Sequence, residues 1–199
     1  MDVVARINAF WFGEQQNGFP VEDKSALWWS GSAETDQYIR QEFGTALEDA
    51  LAGKLDHWQE QPESAVALIL LLDQFCRNVY RGSDKAFAGD AKALQVCLAG
   101  LEHGTDKHLG FAARQFFYMP LEHAESLPMQ DRAIACFSQL HEEVPESRKE
   151  WAANALLFAE QHRDVIRQFG RFPHRNSVLG RESTSEERTF LEDAPRWGQ

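Results

Sequence analysis

The segment LDQFCRNVYRG (72–82) sets acid, amide and base at helical spacing. Asp73 and Arg77 lie four residues apart and share a helix face with Arg81, and Asn78 is the next residue round. The run AVALILLL (65–72) before them is the most apolar of the chain, so these charges are partly buried and need partners. Either Asp73 and Arg77 form an internal pair that pins helix register, or Arg77 and Arg81 face a polar cavity and hold an anion, with Asp73 orienting one of them. A second constellation, RQFFYMPLEHAE (114–125), collects Tyr118, Glu122, His123 and Glu125 around Pro120. Carboxylates beside an imidazole raise its pKa and make it a general acid or base. The same residue types also cap helices and form salt bridges. They are metal ligands too, but one segment supplies too few donors, so no resident metal or other cofactor is expected.

His162 lies on a stripe with Trp151, Ala155, Phe158, Ala159, Ile166 and Phe169. That spacing turns it inward, as a hydrogen-bonded core residue or as a further proton-handling group. The fourth constellation is a charge anomaly. From Arg167 to Arg181 the chain carries four arginines and His174 but no Asp or Glu, in a protein of net charge −11. Gly170 stops the preceding helix, and Pro173 keeps Phe172 out of a continuing one. RFPHRN (171–176) is therefore extended or turned, with Phe172 packed inward. That packing fixes Arg171, His174 and Arg175, with Asn176 and Arg181 following. Guanidinium suits carboxylate or phosphate and is weakly hydrated. These arginines pair with internal carboxylates such as Asp73, Glu122 and Glu125, or they line an anion pocket. Both hold if carboxylates orient the guanidinium groups from behind.

The elements that position these residues read as helices almost throughout. Val3, Ile7, Phe10 and Trp11 form a short stripe ending near Gly13; a second short helix follows in FPVEDKSALWW (19–29). Tyr38, Ile39, Phe43, Ala46, Leu47 and Leu51 define a third, stopped by Gly53. The helix over about Ser64 to Tyr80 is apolar nearly all round and belongs at the centre of the fold. Further helices cover about Asp90 to Glu102, a short aromatic stretch that must end before Pro120, about Pro128 to Val144, and about Glu146 to Phe169. GTDKHLG (104–110) reads as a loop. Ser183 with Glu186 has capping-box spacing and starts a last helix through about Glu192. No strand pattern is evident. The spacing predicts an all-α domain over residues 1–199, with about nine to eleven helices and antiparallel neighbours.

The 199 residues suffice for one sizeable core. The 31 acidic residues against 20 basic ones disfavour nucleic-acid and anionic-membrane surfaces. No secretory signal or membrane span is expected, so the expected location is the cytoplasm, with Cys76, Cys97 and Cys136 as reduced core thiols. Phosphate-binding and dinucleotide glycine motifs, Gly-x-Ser-x-Gly, Cys-x-x-Cys, His-Glu-x-x-His and the di-iron Glu-x-x-His pattern are all missing from the chain.

At FWFG (10–13), LDQFCRN (72–78), YRG (80–82), FYMPLEHAE (117–125), FGRFPHRN (169–176) and LGRESTSEE (179–187) the chain resembles the bacterial family known as domain of unknown function 924. The resemblance runs through nearly the whole chain and implies a tetratricopeptide-type all-α superhelix of stacked helical hairpins. It implies no activity. The family pattern usually has proline where Cys76 stands, so the helix here runs on without that kink. The expected function is binding of a small anionic ligand in an Arg/His/Glu-lined cavity. His123, Glu122 and His162 handle protons, and Asp73, Arg77, Asn78, Arg81, Tyr118, Glu125, Arg171, His174, Arg175, Asn176 and Arg181 surround the ligand. The alternative partner is a carboxylate-ended peptide held by a helical-hairpin surface.

Overall fold

The computed structural model describes residues 2–193. It is all-α, with nine helices among the described residues when 62–79 is counted as one. They are α1 (Val3–Phe12), α2 (Ser25–Trp29), α3 (Ala33–Leu51), α4 (62–79), α5 (Asp90–His103), α6 (Phe111–Glu122), α7 (Leu127–Glu143), α8 (Lys149–Phe169) and α9 (Ser185–Asp193). α4 packs against α1, α3, α5 and α6. Every residue from Ala65 to Arg77 is buried, as its nearly unbroken apolar sequence requires. One large core surrounds it, and a small cluster of Val165, Ile166 and Phe172 lies under the C-terminal segment. Cys76, Cys97 and Cys136 are free thiols, the first two buried and Cys136 half-buried. No helix of the described residues is long and apolar enough to cross a membrane.

Four details correct the reading from sequence. A small antiparallel pair, Gln15–Gln16 with Phe19–Pro20, interrupts the helices. Its cause is the Asn17-Gly18 turn, whose φ angles of 53° and 80° are those of a tight hairpin. Second, α6 runs through Pro120 to Glu122. A proline costs the one backbone bond it cannot donate, and the last turn is closed beyond it by the His123 N–H to the Met119 carbonyl at 2.9 Å. Third, the capping box of α9 is one residue later than expected. The Thr184 hydroxyl accepts from the Glu187 N–H at 3.2 Å, and the Glu187 carboxylate accepts from the Thr184 N–H at 2.8 Å. Fourth, the loop at 104–110 contains a 3-10 turn, Thr105–His108.

α4 is not regular. Leu70–Phe75 forms a π-helical segment between two α-helical stretches. The wider turn re-aims the side chains it carries, and such segments occur often at functional sites. Here it carries Asp73 and Gln74.

Candidate functional site

A cavity of about 450 Å³ opens between α2, α4, α6 and α8. Its walls are Trp28, Trp29, Met119, Trp151, Ala155 and Phe158, and its polar groups are Gln74, Arg77, Gln115, Glu122, His123, Asn154 and His162. Trp29 and Phe158 are half exposed, at 51% and 50%, whereas Glu122, His123 and His162 are buried at 5%, 9% and 5%. The aromatic residues therefore form the mouth and the ionisable ones the floor. Phe158, expected to face inward with the rest of its stripe, sits at the rim because the stripe of α8 borders a cavity rather than solid core.

The floor is built around Asp73, which has no exposed surface. Its Oδ1 lies 2.7 Å from His123 Nδ1 and 3.0 Å from Arg77 Nη1, and Gln74 Nε2 donates to Oδ2 at 2.6 Å. Burial works against its charge, but Arg77 and His123 outweigh it and hold the carboxyl well below the usual range. Arg77 also donates to the Asp73 carbonyl at 2.7 Å and to both Asp90 oxygens at 2.9 and 3.1 Å. The Nδ1–H of His123 points at a carboxylate, so the neutral ring carries its lone pair on Nε2. Burial depresses the His123 pKa despite the opposing pull of Asp73.

Glu122 and His162 complete the floor. His162 Nδ1 lies 2.8 Å from the Phe158 carbonyl oxygen and 3.0 Å from Glu122 Oε1. Burial, and then the nearby Asp73 charge, push the Glu122 carboxyl up to about 8. Burial, and then His123, push His162 down to about 3. Both shifts favour the uncharged forms, so this contact is a polar one between neutral groups rather than a salt bridge. The two imidazole rings lie 6.1 Å apart between centroids. The cavity thus holds a carboxylic acid that can give a proton at neutral pH and an imidazole oriented by a buried carboxylate, the components of general acid–base chemistry.

The structure brings Asp73, Arg77, Glu122, His123 and His162 together from distant parts of the sequence. The other expected site residues lie elsewhere. α4 ends at Val79, so Arg81 leaves the stripe of Asp73 and Arg77; it grips Asp36 of α3 at 2.8 and 3.0 Å, and Asn78 joins it there at 2.7 Å. Tyr118 is fully buried between Arg114 Nε, which donates to its hydroxyl at 3.0 Å, and Asp106, which accepts from it at 2.7 Å. Arg171 binds both oxygens of Glu187 at 2.6 and 2.8 Å. Arg181 binds both oxygens of Glu125 at 2.7 and 2.9 Å and Asn176 Oδ1 at 3.0 Å. Asn176 also donates to Glu187 at 3.1 Å. Arg175 stacks between Phe172 and Phe87, 4.5 and 4.6 Å from their centroids, and reaches Asp90 at 3.2 Å. His174 lines a second hollow with Phe87 and Ser177, its pKa pushed down to about 3 by burial and then by Arg175. The arginine-rich segment is thus stitched to internal carboxylates, chiefly Glu125, Glu187 and Asp90.

Gln74, Gln115, Met119, Asn154 and the tryptophans were not picked out from the sequence as site residues. One signal was available: Gln115, Met119 and Glu122 follow i, i+4, i+7 and share a face of α6. Asp36, Asp90 and Glu187 had none, because each meets its arginine only through the tertiary fold.

The structure thus defines an all-α protein with an acid–imidazole cavity at the junction of four helices. The chain belongs to the family described as bacterial protein of unknown function (DUF924), whose model matches residues 7–195. It is also similar to a solved structure, the protein of unknown function ATU0120 from Agrobacterium tumefaciens. The two share 35% identity at a TM-score of 0.79, over 96% of this chain and 98% of that one. No curated protein matches the chain.

Proposed function

We propose that this protein binds a small molecule with an apolar, flat body and a compact anionic head, taken up head first into the cavity of α2, α4, α6 and α8. The observation that carries the reading is the lining: an aromatic mouth above a buried polar floor, in a space of about 450 Å³, within the size range of small-molecule sites. Gln115 sharpens it. This residue is 7% exposed, lines the cavity, and its Oε1 has no hydrogen-bond partner among the described residues. A buried amide oxygen left unpaired costs about 1–3 kcal/mol, which a donor on the ligand, a hydroxyl or N–H beside its anionic head, recovers. Arg77 and the uncharged Glu122 offer donors to an anionic head. The narrower anion reading rests on Arg77 rather than on the arginines of 167–181, whose carboxylate partners are internal.

The test is thermal unfolding in EDTA, at fixed ionic strength, against aryl and alkyl carboxylates, their neutral amides and carboxylate-ended peptides. A ligand at about 100 times its dissociation constant adds about 2.7 kcal/mol, which raises the midpoint of a chain this size by roughly 5–10 °C. A shift from a compact carboxylate bearing a hydroxyl or N–H donor that shrinks in Gln115→Leu and in Trp29→Ala supports the reading. A shift from peptides alone, indifferent to Gln115→Leu, moves the binding surface out of the cavity. No shift from any compound removes small-molecule binding here.

A further inference from the structure

The same floor has a feature that small-molecule binding does not require. One donor atom each from Glu122, His123 and His162 lies within 4.8 Å of the other two. Two imidazoles and one carboxylate are a ligand set for divalent first-row transition metals, used with positions left open for water or substrate. We propose that Glu122, His123 and His162 bind a single divalent transition-metal ion of the zinc–iron(II) class at the bottom of the cavity.

Three observations beyond the cluster point the same way. First, His123 Nδ1 is held by Asp73 at 2.7 Å, so its Nε2 is the ligand atom. A carboxylate behind a ligating imidazole is the usual support of a metal-bound histidine, fixing its tautomer and raising its basicity. Asp73 is itself fixed by Arg77 and Gln74 at 3.0 and 2.6 Å. Second, the three ligands sit on firm backbone. Glu122 and His123 close α6, and His162 stands within α8. Third, the cluster faces a cavity of about 450 Å³, so the remaining coordination positions open onto space for water or an anionic ligand head.

The geometry is near closure. Donors about 2.1 Å from one ion sit roughly 3–3.4 Å apart, so a pair at the 4.8 Å limit closes by roughly 1.4–1.8 Å on binding, through rotation of the side chains. The charge balance also allows it. Arg77 and Arg175 face Asp73 and Asp90 at 2.9–3.2 Å, which offsets their charge locally. Sequence reading gave this segment too few ligands because His162 arrives from a helix 39 residues further along the chain (162 − 123).

The inference does not depend on the small-molecule reading and is tested with the metal alone. Wild-type protein is freed of metal with EDTA, exchanged into metal-free buffer and titrated with Co²⁺, following the visible d–d bands, and with Zn²⁺ by calorimetry. The expected result is one saturable equivalent of either ion, with d–d bands of four- or five-coordinate cobalt. Affinity falls at least about ten-fold in His162→Gln and in Glu122→Gln and is unchanged in His108→Gln, whose exposed histidine lies outside the cluster. Circular dichroism reports whether each variant is folded. An anomalous difference map from zinc-soaked wild-type crystals gives a reading that needs no variant, with the peak expected between the three side chains. Folded wild type that binds no stoichiometric metal overturns the proposal, as does binding that folded variants leave undiminished or an anomalous peak elsewhere. The EDTA thermal shifts report on small-molecule binding separately, so either idea can fall while the other stands.

Discussion

Asp73 is the residue on which the others depend. It is fully buried, stays ionised through Arg77 and His123, and so orients an imidazole, a guanidinium and an amide at once. Removing one member of a buried charged network leaves the rest unpaired and costs about 3–5 kcal/mol. Asp73→Ala should therefore lose about that much stability, read as a lower urea midpoint at unchanged slope. Asp73→Asn should lose less, since its amide oxygen still accepts from His123. The partly exposed Arg81–Asp36 pair sets the contrast: Arg81→Ala should cost no more than about 1 kcal/mol. Equal losses for Asp73→Ala and Arg81→Ala would show that the buried network has no special weight. At this scale the sequence is half legible. The Asp73–Arg77 pair follows from a spacing of four on a helix. The Asp73–His123 contact spans 50 positions, and no local periodicity encodes it.

At the scale of elements, the helix positions were readable because apolar residues recur at helical spacing and glycines or prolines punctuate them. Gly170 caps α8 at φ 70°, as its place after the stripe implies. What was not readable were departures from regularity. The π segment of α4 leaves no mark in composition, and Pro120 argues for a helix end that tertiary packing overrides. Gly89, which precedes α5, shows how such packing works. A Cβ built there would lie 2.2 Å from the Leu72 carbonyl oxygen, although its φ of −89° is open to any residue. The restriction is one of space: α5 must start against the π segment for Asp90 to reach Arg77. Gly89→Ala should cost about 1–3 kcal/mol, because the obstructing atoms are backbone and cannot rotate away. Wild-type stability in this variant, measured by urea unfolding, would mean that α4 and α5 stand further apart.

At the scale of the whole molecule, an acidic chain uses its arginine-rich segment as a strap. Arg181 ties it to Glu125 beyond α6, and Arg175 ties it to Asp90 at the start of α5. Arg171 closes it on Glu187 of α9. The basic run was visible in the sequence, but its carboxylate partners come from three separate places and emerge only on folding. Such a strap has a pH signature. Arg171, with the Thr184 N–H and Asn176, holds the Glu187 carboxyl down at about 2, against an ordinary 4.5. A depressed folded-state pKa means that the unfolded chain binds more protons between those values. The stabilisation is therefore complete above about pH 4.5 and fades as pH falls toward about 2. Other paired carboxylates, including Glu125 and Asp36, add their own acid slopes, so the informative quantity is a difference. Thermal midpoints of wild type and Glu187→Gln, followed from neutral pH downward, should differ by several degrees at first and converge through that window. A gap of constant size would show that Glu187 contributes by shape and neutral hydrogen bonding alone, and that the strap is not held by charge.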